Sequence, residues 1–169
     1  MLRAQILLTV SFLVAAGQTS LSNMDVVRMD GIGPIRIGMT LREVNKALRT
    51  SYSTPTEPDE RSCFYVDVPG HHGLELMILN GRFVRVDVDD KTTKTEVGIH
   101  NGDSERSAMS KYGGKLKVEP QFYSPETGHY LTLFSADKKY ALRFESDDGK
   151  VTRYYAGKSE AVSFVEGCS

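Results

Sequence analysis

Residues 74–88 read LELMILNGRFVRVDV and contain two apolar runs separated by a turn signal. Residues 74–78 and 82–88 are two strand-like runs rich in Leu, Ile, Val and Phe. Asn80-Gly81 stands between them, and an Asn-Gly pair flanked by such runs is a strong signal for a tight turn between antiparallel strands. The stretch therefore predicts a β-hairpin.

The side chains also favour one register for this hairpin. A two-residue Asn-Gly loop would place Glu75 opposite Val86 and mix polar with apolar partners along both faces. A three-residue loop with Gly81 in a left-handed bulge position instead pairs apolar residues with apolar residues and charged residues with charged residues. We therefore predict the pairs Leu76–Val84, Leu74–Val86 and Glu75–Arg85.

The second half of the chain repeats this pattern. Residues 149–154, GKVTRY, match Gly81–Val86 and follow an alternating run from Tyr140 to Phe144. Each half also has a candidate strand upstream, at residues 63–68 and 130–134. Each half is thus predicted to contain a three-stranded antiparallel meander.

A short helix precedes each meander. Thr40 and Glu43 form a Thr-x-x-Glu capping box, which predicts a helix over residues 41–48. In the second half, Ser104 offers a polar cap for a helix over residues 105–112. The helices and meanders together predict an α+β fold of two tandem helix-plus-antiparallel-sheet units, with the sheets packed on the helices.

Domain boundaries follow from this organisation. Residues 1–22 begin with a positively charged region, continue with an apolar run of about ten residues and end with small or polar residues suited to a cleavage site. This is the pattern of a cleavable signal peptide. The first helix-plus-sheet unit then spans residues 23–92 and the second spans residues 93–169. Apolar and polar side chains alternate in residues 161–169, which predicts a final strand. The apolar run is too short to cross a bilayer, so no membrane span is expected in the mature protein.

The two cysteines fit an exported protein. Cys63 and Cys168 are the only cysteines, and exported proteins with an even count usually pair them. We predict one disulfide bond between them, linking the two halves, and a periplasmic or secreted location. With 21 basic and 22 acidic residues, the chain has no basic surface of the kind that binds nucleic acid.

No catalytic residues or cofactors are predicted. The serines lie outside any Gly-x-Ser-x-Gly motif, and the sequence contains no phosphate loop or dinucleotide fingerprint. His71 and His72 stand between glycines on a hairpin tip, without further ligands at metal-site spacing, so no metal is predicted. The chain reads as non-catalytic.

A binding face is the best functional candidate. If one face of the sheets packs on the helices, period-two alternation sends a mixed set of residues to the opposite face. Aromatic, Met and Arg residues are enriched in protein interfaces. The predicted face consists of Glu75, Met77, Phe83, Arg85, Arg143, Arg153 and Tyr155. Its partner would be a protein or a cell-envelope component. The alternatives are a small secreted hydrolase with an unrecognised site and a structural envelope protein.

One motif resembles a known family. Gly38-Met39-Thr40 with Glu43 and Val44 resembles the Gly-Met-Thr-x-x-Glu-Val helix entry of the superfamily of beta-lactamase inhibitory protein and the small outer-membrane assembly lipoproteins. Those proteins pack helices on antiparallel sheets, and the inhibitor carries two such units in tandem. The ending Glu166-Gly167-Cys168 is also similar to that of a group of uncharacterised exported bacterial proteins. The resemblance implies the same fold and a binding role that can include inhibition.

Overall fold

Short strands and helices follow one another along the described residues, which are Leu21 and 26–168 of the computed structural model. The first half contains β1 (Val26–Arg28), β2 (Gly31–Ile32), β3 (Ile35–Arg36), α1 (Leu41–Leu48), a 3-10 turn (Pro58–Glu60), β4 (Cys63–Asp67), β5 (Leu74–Leu79), β6 (Arg82–Val88) and β7 (Lys94–Thr95). The second half contains α2 (Glu105–Lys111), β8 (Lys117–Pro120), β9 (Gly128–Phe134), β10 (Tyr140–Asp147), β11 (Lys150–Lys158) and α3 (Ser159–Ser163). The predicted signal peptide lies outside the described residues, apart from Leu21.

The predicted α+β fold of two tandem helix-plus-sheet units is wrong. The protein is mostly β, since strands make up 40% of the described residues and helices only 14%. β6 pairs with β11 from Val88–Tyr154 to Arg85–Gly157, so the two meanders form one antiparallel sheet in the order β4-β5-β6-β11-β10-β9-β8. Each meander alone would leave the backbone groups of its last strand unpaired, and joining the two satisfies both edges. The division of the chain at residue 92 stays a prediction.

The hydrophobic core lies on one face of this sheet. Val44 and Leu48 of α1 and Ala108 of α2 pack there with Phe144 and Tyr154, and all five are buried. The predicted helices are confirmed, although α2 ends at Lys111 rather than residue 112. We call this face of the seven-stranded sheet the helix side.

The predicted capping box at the start of α1 is also present. The Glu43 backbone N–H donates to Thr40 Oγ1 at 3.3 Å, and the Thr40 N–H donates to Glu43 Oε2 at 2.7 Å. These two bonds satisfy donors that the first turn of a helix leaves without a partner inside the helix.

The predicted register of the β5–β6 hairpin is wrong. Asn80 and Gly81 have φ angles of 50° and 72° and form a two-residue loop, with Leu79 opposite Arg82. An extra residue, Val84, then shifts the register at Met77, as in a β-bulge. Beyond the bulge, like residues face each other, since Leu74 pairs with Val88, Leu76 with Val86 and Glu75 with Asp87. A matching of this kind was the reason for predicting a three-residue loop, but the bulge produces it with a two-residue loop.

The bulge also moves two side chains between faces. Phe83 packs in the helix-side core, whereas Val84 packs with Met77 and Ala161 on the opposite face. The predicted placement of Phe83 on the binding face is therefore wrong. The β11 backbone comes close to the bulge, because a Cβ on Gly157 would lie 2.1 Å from the Val84 carbonyl oxygen. Only glycine fits there.

A second sheet was not anticipated from the sequence. It has the order β3-β2-β1-β7, with β1 and β7 parallel and the other neighbours antiparallel. Its residues Val27, Ile32 and Ile35 are buried in the main core. Alternation over residues 34–40 predicts a short strand there, and β3 confirms it. The strands β1, β2 and β7 have only two or three residues, too few to show an alternating pattern, and were missed.

The C-terminal end of the chain forms a helix and a loop. Residues 161–169 were predicted as a strand, but α3 covers Ser159–Ser163 and irregular backbone follows to Cys168. A short alternating run does not by itself separate a strand from one helical turn. The predicted disulfide bond is confirmed, because Cys63 and Cys168 are joined. In the described part of the chain, no helix is long and apolar enough to span a membrane.

Candidate binding site beside the C-terminal segment

The face of the sheet opposite the helix side is partly covered by residues 159–168, which we call the C-terminal segment. Ala161 packs against Met77 and Val84, and Val162 packs against Tyr155. The disulfide bond fixes the end of the segment to β4. The face predicted as a binding surface is therefore largely occupied by the chain itself.

Arg85 holds the segment on the sheet. Its Nη1 donates to the carbonyl oxygens of Ala161 at 2.8 Å and Phe164 at 3.0 Å, and its Nη2 donates to Tyr65 Oη at 2.6 Å. Arg85 Nε lies 2.7 Å from Asp87 Oδ1, and both side chains are buried. Burial lowers the pKa of Arg85, but the Asp87 carboxylate more than offsets this effect, so the guanidinium stays charged.

Tyr155 belongs to the same buried network. Its hydroxyl donates to Glu145 Oε1 at 3.0 Å, and Gln121 Nε2 donates to Glu145 Oε2 at 3.1 Å. The Arg85 guanidinium lies 4.5 Å from the centre of the Tyr155 ring. Burial raises the pKa of Tyr155, with the Glu145 carboxylate adding to the shift. The hydroxyl is thus a neutral donor to Glu145.

The structure separates the seven predicted binding residues into two groups. Met77, Phe83, Arg85 and Tyr155 are buried, whereas Glu75, Arg143 and Arg153 are partly exposed. Arg143 Nε donates to Thr132 Oγ1 at 3.0 Å. Arg153 Nε lies 3.2 Å from Asp89 Oδ1 at the rim. Only the second group remains available to a partner.

A polar cavity of about 270 Å³ lies where the C-terminal segment crosses the sheet. Its walls are formed by residues 165–167 together with the side chains of Tyr65, Glu75, Arg85, Asp87 and Arg153. Three of the predicted residues therefore line one cavity. The segment that covers the rest of the face also builds this wall.

Glu75 is a partly exposed carboxylate that lines the polar cavity. Within the described part of the chain, its carboxylate makes no hydrogen bond and no ion pair within 4 Å with another side chain. Burial raises the pKa of Glu75, and the negative charges of Asp67, Asp87 and Asp89 raise it further, while the positive charge of Arg153 offsets part of the shift. A negative charge is therefore disfavoured at this position.

A second depression, the apolar groove, adjoins the polar cavity. It measures about 440 Å³ and is lined by Phe122, Tyr123, Phe164 and residues 165–167. Residues 165–167 also form a wall of the polar cavity. Phe122 and Tyr123 are 70% and 61% exposed, and their rings meet edge to face with centroids 5.0 Å apart. The Tyr123 hydroxyl donates to the Glu166 carboxylate. The groove thus presents two open aromatic rings beside a charged cavity.

Sequence reasoning missed this aromatic pair. Phe122 and Tyr123 stand in the loop between β8 and β9, in the context Gln121-Phe122-Tyr123-Ser124-Pro125. Successive side chains of a strand point to opposite faces, so two adjacent aromatic residues cannot both face the same core. Here the neighbouring residues are polar and a proline follows, which indicates a loop. That context was a usable signal for exposed aromatic surface.

A serine, a histidine and a carboxylate also meet near the start of α2, but not as a catalytic group. Ser146 Oγ donates to Glu105 Oε1 at 2.5 Å, and His129 Nδ1 lies 2.8 Å from the same oxygen. Ser146 is fully buried, and its hydroxyl is directed at the carboxylate rather than at the imidazole. A nucleophile needs a base within hydrogen-bond reach and access to substrate, so this cluster is structural.

The histidines of the predicted hairpin tip do not converge with other ligands. His71 Nε2 lies 3.4 Å from the Leu21 carbonyl oxygen, and His72 is exposed. Among the described residues, no group of three or more His, Cys, Asp or Glu side chains is arranged to hold a metal ion.

Comparison with known proteins adds little. No protein-family model matches the chain, and no curated protein matches it significantly. It is similar to the crystal structure of an extracellular protein containing a SCP domain from Bacillus anthracis strain Ames, with a TM-score of 0.46 and 9% sequence identity. The similarity covers 92% of this chain and 51% of that chain, so the chain spans about half of that structure's length. A similarity this low indicates neither a shared fold nor a shared function.

Proposed function

We propose that this protein is an exported binding protein that recognises a protein partner through the apolar groove and the adjoining polar cavity. The observation that carries the proposal is the exposure of Phe122 and Tyr123 side by side in the groove. Contiguous exposed apolar surface on a globular protein commonly marks an interaction site. Aromatic residues and arginine are also the types enriched where proteins meet.

Export is supported by two independent features. The Cys63–Cys168 disulfide bond is of the kind that persists in the periplasm or outside the cell. The pattern of residues 1–22 is that of a signal peptide, which directs a protein to the same compartments. The partner is therefore a secreted protein or a protein of the cell envelope.

The resemblance of residues 38–44 to beta-lactamase inhibitory protein and the small outer-membrane assembly lipoproteins is consistent with a binding role. Binding at the apolar groove would act as inhibition if the partner were an enzyme whose active site the groove covers. The proposal does not depend on this resemblance, because the exposed aromatic pair supports it without reference to any family.

Capture of a partner by matched variants tests the proposal. Oxidised protein would be immobilised and exposed to envelope extract and culture fluid, alongside a Phe122→Ser, Tyr123→Ser double variant. Val118→Ser is the control, because Val118 is also an exposed apolar residue but pairs with Leu131, whose side chain lies in the helix-side core. We expect the wild type and the control to capture the same protein and the double variant to lose it. Equal capture by all three, or by none, would overturn the proposal.

A further inference from the structure

We propose that Asn80, at the tip of the β5–β6 hairpin, is a site of spontaneous chemical modification, at which the side-chain amide is converted to a carboxylate. In an Asn-Gly pair, the glycine has no side chain to shield its backbone nitrogen, so this nitrogen can attack the amide carbon of the asparagine. The sequence contains two such pairs, Asn80-Gly81 and Asn101-Gly102. Their surroundings differ, and the difference makes Asn80 the reactive site. This inference is independent of the proposed binding function.

The reaction consumes one water molecule and releases one ammonia. The Gly81 nitrogen loses its proton and forms a bond to Asn80 Cγ, while the side-chain nitrogen takes up a proton and leaves as ammonia. The product is a cyclic imide, and water then adds to either carbonyl carbon of the ring. Cleavage of the new bond at Cγ gives aspartate, whereas cleavage of the original peptide bond gives isoaspartate, in which the main chain runs through Cγ. The reaction needs no oxidant, reductant or enzyme.

At Asn80, the reacting groups are open to water. Asn80 and Gly81 are both exposed. In the part of the chain that the structure describes, neither the Asn80 side-chain amide nor the Gly81 N–H makes a hydrogen bond. Other groups of the turn are bonded, since the Asn80 N–H donates to the Ser62 carbonyl oxygen at 2.7 Å. The Gly81 carbonyl oxygen accepts from the Leu41 N–H at 3.1 Å. The two groups that react therefore have no hydrogen bond to lose.

At Asn101, the same groups are all engaged. Asn101 is 2% exposed, and its Nδ2 donates to the carbonyl oxygens of Val88 at 2.9 Å and Asp90 at 2.8 Å. The Gly102 N–H, which is the attacking group, donates to the Val151 carbonyl oxygen at 2.7 Å. These three hydrogen bonds would have to open in a buried site before the ring could form. Opening even one of them should lower the rate about tenfold.

The turn accommodates aspartate better than isoaspartate. Asp148-Gly149 forms the turn between β10 and β11 with φ angles of 46° and 71°, close to the 50° and 72° of Asn80 and Gly81. The chain thus already holds an aspartate in this conformation, and aspartate adopts positive φ more readily than most residues. Isoaspartate adds a carbon atom to the main chain, which would displace the Gly81 carbonyl oxygen from the Leu41 N–H at the start of α1. The isoaspartyl form should therefore be less stable than the aspartyl form.

Mass spectrometry of the whole oxidised protein, aged in mildly alkaline buffer and then reduced and digested, tests the inference. We expect the peptide that contains Asn80 to gain a carboxylate, in separable aspartyl and isoaspartyl forms, at least about tenfold faster than the peptide that contains Asn101. In protein aged in concentrated urea with the disulfide bond reduced, the two sites should react at similar rates, because both are Asn-Gly pairs. Asn80→Gly is the matched control, since Gly-Gly also suits this turn, and it should release much less ammonia than the wild type.

Three results would overturn the inference: equal conversion of Asn80 and Asn101 in the folded protein, faster conversion of Asn101, or no conversion of folded Asn80 over a period in which both sites react in urea. Urea denaturation tests the products. The Asn80→Asp variant should unfold at about the same urea concentration as the wild type, and the purified isoaspartyl form should unfold at a lower one. An isoaspartyl form as stable as Asn80→Asp would overturn the expected displacement of the Gly81 carbonyl oxygen.

Discussion

The two faces of the seven-stranded sheet are both covered, but by different chemistry. On the helix side, apolar side chains such as Phe144, Tyr154 and Val86 pack against α1 and α2. On the opposite face, a buried charged network with Arg85 at its centre holds the C-terminal segment through hydrogen bonds to two backbone carbonyls. Burial of apolar surface is non-directional and tolerates small shifts, whereas a charged network needs each partner in place.

This difference also bears on where the polar cavity lies. Charges that lose water must find partners, and the buried Arg85 and Asp87 find each other beneath the segment. Ala161 and Val162 cover Met77 and Tyr155, but the segment leaves Glu75 and Arg153 open at its edge. The charged face therefore provides the candidate binding site.

The largest expected effect comes from removing the disulfide bond that fixes the C-terminal segment. The bond closes a loop with a sequence separation of 105 residues. Replacing both Cys63 and Cys168 with alanine should lower the free energy of unfolding by about 4–5 kcal/mol, the chain-entropy estimate for a loop of this length. Urea denaturation measures the loss.

Hydrogen exchange on the same double variant would sharpen the comparison of the two faces. Amides in residues 164–168 should lose protection, while those of β10 should keep theirs. Full protection of the amides in residues 164–168 would mean that Arg85 and α3 hold the segment without the bond.

The next largest effect should come from the helix-side core. Phe144 is fully buried, with its ring centroid 5.8 Å from that of Tyr112 and 5.6 Å from that of Tyr154. Phe144→Ala should lower the free energy of unfolding by about 3–5 kcal/mol through lost burial and the cavity left behind. Phe134→Ala is the matched control, since Phe134 is 43% exposed and should cost well under half as much. Equal losses in the two variants would contradict the assignment of the core.

The charged face should respond differently to single and double changes. Arg85→Ala leaves Asp87 buried without its cation and should lower the free energy of unfolding by about 3 kcal/mol. An Arg85→Leu, Asp87→Leu double variant should recover most of that loss, because apolar residues often replace a buried ion pair at little cost. Thermal and urea denaturation of the single and double variants provide the measurement. A double variant less stable than the single one would show that the hydrogen bonds to the C-terminal segment, rather than the ion pair, dominate.

The sequence predicted local structure well where one signal acted alone. The Thr40–Glu43 capping box predicted the start of α1, because a capping box depends only on nearby residues. The presence of only two cysteines in the sequence predicted the disulfide bond, because only one pairing is possible. Pairing between the two halves was not accessible in this way. Alternation shows which residues form a strand, but it does not show that the free edge of β6 meets the free edge of β11.

The errors at the candidate site have a physical origin in single residues. One extra residue, Val84, moved Phe83 to the helix side, and alternation alone cannot reveal a bulge in advance. The covering of Arg85 and Tyr155 depended on a short helix in a tail whose pattern suggested a strand. The prediction that residues on this face share one surface was still useful, because Glu75, Arg85 and Arg153 all line the polar cavity.

The smallest expected effect concerns Glu75 and pH. Its pKa is raised in the folded protein by burial and by Asp67, Asp87 and Asp89, so the native state holds this proton to higher pH than the unfolded chain does. Stability should therefore fall as pH rises through the interval above the ordinary glutamate pKa. Glu75→Gln removes this penalty, so the variant should be slightly more stable than wild type at pH 7 and no more stable at pH 4. Thermal denaturation at both pH values tests this, and a variant less stable at pH 7 would show that the carboxylate is favourably paired in the folded protein.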